Sequence, residues 1–208
     1  MSAAQLAVDS ARLRRAVRPI DDPPSAPGWN AEQLADAADL SSSTRAAAVL
    51  VPFVRRAHAL SILFTRRTEN LRTHAGQISF PGGGVEAGDA DVIAAALRET
   101  AEETGIAPDL IEPFGYLDGL DTVSGYNVTP VAGFVGGDYS LRLHADEVDE
   151  VFEVPLPFIL EPGRLQREHI LWRGRERDIY AMVWQGRRIW GVTAAILKNL
   201  LDRWEKTA

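Results

Sequence analysis

Residues 80–106 read FPGGGVEAGDADVIAAALRETAEETGI. From about Ala90 to Thr104 the segment predicts a helix, rich in Ala, capped by Asp89 at its start and by Gly105 at its end. Before it, QISFPGGG (77–84) predicts a brief strand ending in a turn that only glycines make cheaply. At 3.6 residues per turn, Glu99, Glu102 and Glu103 share one helix face, while Val92, Ile93, Ala96, Leu97 and Thr100 supply surface for packing. Three carboxylates that close raise one another's pKa unless a cation sits among them. Hard oxygen ligands suit Mg²⁺ or Mn²⁺, which keep some waters and take substrate phosphates as further ligands. The alternative is a solvated acidic face.

Working outward, RAAAVLVPFV (45–54) and ALSILFTRR (59–67) are apolar, β-leaning runs, and they predict paired strands. TENLRTHAG (68–76) is a polar loop. Further strands are expected around EPFGYLD (112–118) and YNVTPVAGFV (126–135), with a short helix after Pro155. HILWRGRERDIYAMVW (169–184) reads as a hairpin turning at Arg173-Gly174, and GVTAAILKNLLDRW (191–204) as an amphipathic helix. Toward the N-terminus, residues 7–17 are helical, 18–30 form a Pro-rich connector, and AEQLADAADL (31–40) is a short helix. Residues 1–43 therefore form a helical extension and connector, and 44–208 the domain proper. Alternating strands and helices imply an α/β layered domain with a mixed sheet.

The 208 residues are 46% hydrophobic and 25% charged, ordinary for a globular chain. A formal charge of −7 argues against a general nucleic-acid binder, since phosphate backbones reward basic stripes. The chain has no cysteine, which removes disulfides, thiolate catalysis and Cys-based metal sites. No apolar run approaches the ~20 residues needed to span a bilayer. The N-terminus lacks the pattern of a signal peptide, so the cytoplasm is the expected compartment.

The 80–106 segment resembles the signature of the Nudix hydrolase superfamily. That signature runs Gly, five residues, Glu, seven residues, Arg-Glu, an apolar residue, any residue, Glu-Glu, any residue, Gly, an apolar residue. Gly84, Arg98-Glu99, Glu102-Glu103, Gly105 and Ile106 fall in register. Two positions depart: Ala90 stands where the first Glu belongs, with Asp89 one residue earlier, and Thr100 takes an apolar place. The Ala90 change touches a supporting contact of the box, one that helps hold Arg98. The resemblance implies an α/β/α sandwich (α+β in the broader sense) and a loop–helix–loop that holds divalent cations against a pyrophosphate. It makes Glu99, Glu102 and Glu103 the expected metal ligands, with Mg²⁺ or Mn²⁺ as cofactor. Arg98 is expected to brace the helix, and a carbonyl of Gly82–Gly84 to be a further ligand. For the general base, the acidic run HADEVDEVFEVP offers Asp146, Glu147, Asp149 and Glu150, of which Glu147 is the choice.

Just upstream, LFTRRTENLRTHAGQISFPGG resembles the stretch that marks the coenzyme A pyrophosphatase branch of the family. Leu63, Thr65, Arg67, Arg72, Gly76 and Phe80 to Gly83 match in spacing, with Phe64 and Thr68 as mild changes. The branch implies hydrolysis of coenzyme A, or an acyl form, to 4′-phosphopantetheine and adenosine 3′,5′-bisphosphate. It implies substrate-binding roles for Arg67, Arg72, His74, Gly76, Phe80, Gly82 and Gly83, with Phe80 and Pro81 packing and aiming the glycines. Arg66 is either a further contact or a solvated charge. Trp172, Trp184 and Trp190 are expected in the core rather than stacked on adenine. The alternatives are a hydrolase of ADP-ribose or dinucleotide-type diphosphates, and a non-catalytic nucleotide sensor. The expected partner is a small nucleotide, with neither nucleic acid nor membrane, and the N-terminal extension could serve a homodimer interface.

Overall fold

The computed structural model describes residues 3–34, 44–57, 59–71, 74–172 and 174–207. In chain order its elements are α1 (Ala3–Ala16), α2 (Ala31–Leu34), β1 (Arg45–Arg55), β2 (Leu60–Arg67), β3 (Ile78–Ser79), β4 (Gly82–Gly84), α3 (Val92–Thr104), β5 (Ile111–Tyr116), β6 (Leu120–Asp121), β7 (Tyr126–Val135), β8 (Val148–Pro155), α4 (Leu156–Leu160), β9 (Gln166–Trp172), β10 (Arg175–Trp184), β11 (Arg187–Trp190) and α5 (Gly191–Glu205).

β1 is apolar at nearly every position because both its faces are buried. Ala47, Val51 and Phe53 face one core, and Ala48, Leu50 and Val54 face a second. The first core is closed by α1, α4, α5 and the β9–β11 sheet through Leu13, Leu156, Met182, Ile189, Leu197 and Leu200. The second is closed by α3 through Ala95 and Ala96. β1 runs parallel to β7 and antiparallel to β2, giving the order β3-β2-β1-β7-β5 with β8 on β2. The result is the expected α+β sandwich, a mixed sheet between helices. β9, β10 and β11 form a separate antiparallel sheet.

Two local expectations are corrected. The glycines of 82–84 form a strand rather than a turn: β4 pairs antiparallel with Ala47–Val49 on the edge that β2 vacates. A Cβ on Gly82 would stand 2.4 Å from the Ala48 carbonyl oxygen, so only glycine permits that approach. The cap of α3 is Asp91 rather than Asp89: Asp91 Oδ1 accepts from Ala94 N at 2.8 Å. Gly105 ends α3 at φ 78, as expected.

α1 buries Leu13, Ala16 and Val17. Arg12 Nη2 donates to Trp204 O at 3.0 Å, and Arg203 Nε donates to Ala16 O at 2.6 Å, which fixes α1 on α5. The connector docks where Gly28 N donates to Asp121 Oδ2 at 2.9 Å. Residues 35–43, including most of the expected 31–40 helix and the end of the extension, lie outside the described residues. No helix among the described residues is long and apolar enough to cross a membrane.

Candidate active site

α3 carries the three glutamates into three different environments. Packing of Ala95, Ala96, Thr100 and Thr104 onto the sheet turns Glu103 inward, leaving it 2% exposed. Burial raises its pKa to about 8, partly offset by the nearby Arg67 guanidinium and a backbone hydrogen bond from Gly82. Its Oε2 is buried with no hydrogen-bond partner among the described residues. The Glu99 side chain is 16% exposed and its pKa is raised, first by burial, against the lowering effect of Arg98. It lies over Gly83, where a Cβ would come within 2.5 Å of its carboxylate. The Glu102 side chain, at 60% exposed, points toward solvent.

Arg98 organises the helix side of the site. Its Nε and Nη2 donate to the two oxygens of Asp89, each at 3.0 Å. Nη1 donates to Glu99 at 2.9 Å and to Glu102 at 3.2 Å, and Nη2 also reaches Gly84 O at 3.1 Å. Bidentate Arg–carboxylate pairs are among the stronger and more directional contacts. Asp89 in turn accepts from Glu86 N at 2.8 Å, and its pKa is lowered, first by Arg98. The contact that Ala90 withholds is thus made by Asp89, through a loop that brings residue 89 rather than 90 beneath Arg98. With Glu99 and Glu102 drawn onto Arg98, no three His, Asp or Glu side chains among the described residues stand together as a ready-made ion cage.

The strand side is set by β2. Alternation sends Leu60, Ile62 and Phe64 into the first core and Leu63 into the second. Arg67 follows Leu63 on the α3 side, and its Nη1 stands 3.8 Å from Glu103 Oε1. Arg66 falls on the other side, paired with Glu150 at 3.3 Å, which also binds Arg187. Glu150 is thereby occupied. Glu147, at 43% side-chain exposure, stays accessible, and its charge acts on both Glu99 and Glu103.

The remaining expected residues divide. Arg72 lies outside the described residues. His74 (φ 60) turns its Nδ1 onto Gln77 Oε1 at 2.9 Å. Gly76 (φ 66) leaves room for the Glu69 carboxylate, which a Cβ would meet at 2.4 Å. Phe80 is not substrate-facing: it is buried and stacked on Phe64 at 5.0 Å, supporting the glycine strand from behind. Trp184 packs on Phe158 at 4.5 Å, as a core residue would. The side chain of Trp172 lies outside what is described. Sequence reading missed Asp89 as the anchor of Arg98, although its place one residue before Ala90 was the available signal. It also missed Thr68, which bonds the backbone of Asp146 and Glu147.

Glu99 and Glu103 of α3, Gly83 of β4 and Arg67 at the end of β2 thus meet in one site. The NUDIX domain family matches residues 44–171. The chain belongs to the Nudix family, whose members act on nucleoside diphosphate derivatives and generally use divalent metal ions. It is 46% identical over 156 residues to the uncharacterized Nudix hydrolase NudL of Escherichia coli O9:H4 (strain HS), covering 75% of this chain and 81% of that one. The NudL of Shigella boydii serotype 18 matches to the same extent, at 46% over 156 residues. Among solved structures, a MutT/nudix family protein from Enterococcus faecalis aligns at TM-score 0.49 and 17% identity, over 99% of this chain and 70% of that one. The Nudix domain of Shewanella oneidensis NrtR, solved with ADP ribose, aligns at TM-score 0.45 and 23% identity, over 62% and 85%.

Proposed function

We propose that the protein is a divalent-metal-dependent pyrophosphatase of coenzyme A or its thioesters, yielding 4′-phosphopantetheine, or its acyl form, and adenosine 3′,5′-bisphosphate. The observation that carries this reading is the meeting of two motifs in space. Arg67, from the stretch resembling the coenzyme A branch, stands against Glu103, the most buried acid of the Nudix box.

The residues suit Mg²⁺ or Mn²⁺. Glu103 brings a buried oxygen with no partner among the described residues, Glu99 fits into the space that Gly83 leaves, and all the donors are hard oxygens. Glu99 and Glu103 are the first ligands and Glu102 the third. When bound there, the ions supply charge neutralisation of the diphosphate and acidification of a water. Arg98, held by Asp89, keeps Glu99 and Glu102 in place. Arg67, with Arg72 and His74 of the following loop, gives charge-assisted contacts to the anionic substrate. Glu147 takes the proton as water attacks a phosphorus and the P–O bond to the departing phosphate breaks. Gly82, which lets β4 close on Ala48, and Gly83, which leaves room for the Glu99 carboxylate, keep the backbone of β4 beside the ligand carboxylates, where it meets the phosphates.

Purified protein incubated with coenzyme A and Mn²⁺ is expected to release those two products, and Glu103→Gln to abolish the release. Turnover of ADP-ribose or NADH with coenzyme A untouched would replace this substrate by a dinucleotide-type one. Tight nucleotide binding without any hydrolysis would make the chain a sensor.

A further inference from the structure

The segment before β8 joins the two sides of the site through its backbone. Arg142 N donates to Thr104 O at 2.8 Å and His144 N donates to Glu103 O at 3.1 Å. The segment thereby takes up two carbonyls that the end of a helix leaves open. The dock is close, since a Cβ on Gly105 would stand 2.8 Å from Arg142 N. From the opposite side the segment is held by Thr68, which is 1% exposed. Thr68 N donates to Glu147 O at 3.0 Å, and Thr68 Oγ1 donates to Asp146 O at 3.2 Å. Within the segment, Glu147 N and Val148 N both donate to His144 O at 2.9 Å. Glu147 therefore has its backbone fixed on both flanks while its side chain remains accessible. Thr68 directly follows Arg67, so one strand end sets both the cation on Glu103 and the acid facing it.

We propose that Thr68 is a positioning residue for the reaction: its hydroxyl and N–H hold the Asp146–Glu147 backbone, and so set where the Glu147 carboxylate stands beside Glu99 and Glu103. This rests on the reading of Glu147 as general base. A buried hydroxyl given to one main-chain carbonyl cannot be replaced by a methyl without leaving that carbonyl unpaired. A misplacement of about 1 Å in a catalytic group is enough to cost on the order of 100-fold in rate.

The test uses the full chain with Mn²⁺ and the diphosphate it turns over fastest. Thr68→Val is expected to lower kcat about tenfold with KM changed less than about twofold, and Thr68→Ser to restore most of the loss. Thr68→Ala serves in place of the valine variant if that one does not fold. Amide exchange in a peptide spanning 142–148 should quicken in Thr68→Val and return to the wild-type rate in Thr68→Ser. In a Glu147→Gln background, Thr68→Val should cost nothing further, because residues acting through one another are not additive. Full additivity, a loss confined to KM, or unchanged exchange at 142–148 overturns the role of Thr68 alone. An unchanged kcat in Glu147→Gln itself overturns the base assignment, and this inference with it.

Discussion

Glu103 gives the sharpest prediction because its burial has a sign and a size. A carboxyl whose pKa rises from 4.5 to about 8 on folding binds its proton more tightly in the native state. Stability of the metal-free protein must then fall as pH rises between those values, by up to about 1.4 kcal/mol per unit. Below pH 4.5 both states are protonated and nothing is lost. Above about 8 both are ionised and the full cost is present. The ceiling is about 5 kcal/mol, and water drawn in on ionisation brings the expected figure nearer 3 kcal/mol. Glu103→Gln copies the protonated shape and removes the titration. In excess chelator it should match wild type near pH 4.5 and unfold roughly 5–10 °C higher at pH 9. Thermal and urea unfolding followed by circular dichroism at half-unit pH steps would measure this. Adding Mn²⁺ at pH 8 should raise the wild-type midpoint and leave that of Glu103→Gln nearly still. Parallel pH curves for the two proteins would refute the burial argument. An equal Mn²⁺ response would refute the assignment of Glu103 as a ligand.

Asp89→Ala strips Arg98 of its bidentate partner, so Glu99 and Glu102 lose their brace; kcat should fall by about 10- to 100-fold, read in the same product assay. Gly83→Ala puts a Cβ where the Glu99 carboxylate lies, and because that carboxylate ends a flexible side chain the fold survives while the site does not. Activity should drop by about 100-fold or more, with unchanged far-UV circular dichroism. Phe80→Ala removes the ring stacked on Phe64 and should cost about 3–5 kcal/mol in urea unfolding. Its Mn²⁺ affinity, measured by titration calorimetry on the folded protein, should change far less than that of Glu99→Gln.

What the sequence made legible was the part governed by short-range rules. Helix period, Ala content and Gly105 located α3, and continuous apolar, β-leaning runs located β1 and β2, because these signals act within a few residues. The face shared by Glu99, Glu102 and Glu103 was readable too, but their differing exposure was not. Period alone leaves a helix free to rotate against its sheet, and it is the packing of Ala95, Ala96, Thr100 and Thr104 that buries Glu103 and leaves Glu102 outside. Asp89 escaped for a related reason. A motif fixes a residue by its count along the chain, whereas Arg98 selects a partner by reach, and a loop can deliver residue 89 to the spot where the signature expects residue 90. Thr68 is the extreme case. Nothing local to TRRTENL distinguishes a threonine whose hydroxyl is lost in the core from one in solvent. Its partners, Asp146 and Glu147, lie 78 residues or more along the chain. The chemistry-bearing groups were therefore readable one at a time, and their mutual placement was set by contacts between distant segments. By the same logic, substitutions at Asp89 and Thr68, which carry no chemistry themselves, should perturb the rate more than changes at exposed acids such as Asp149.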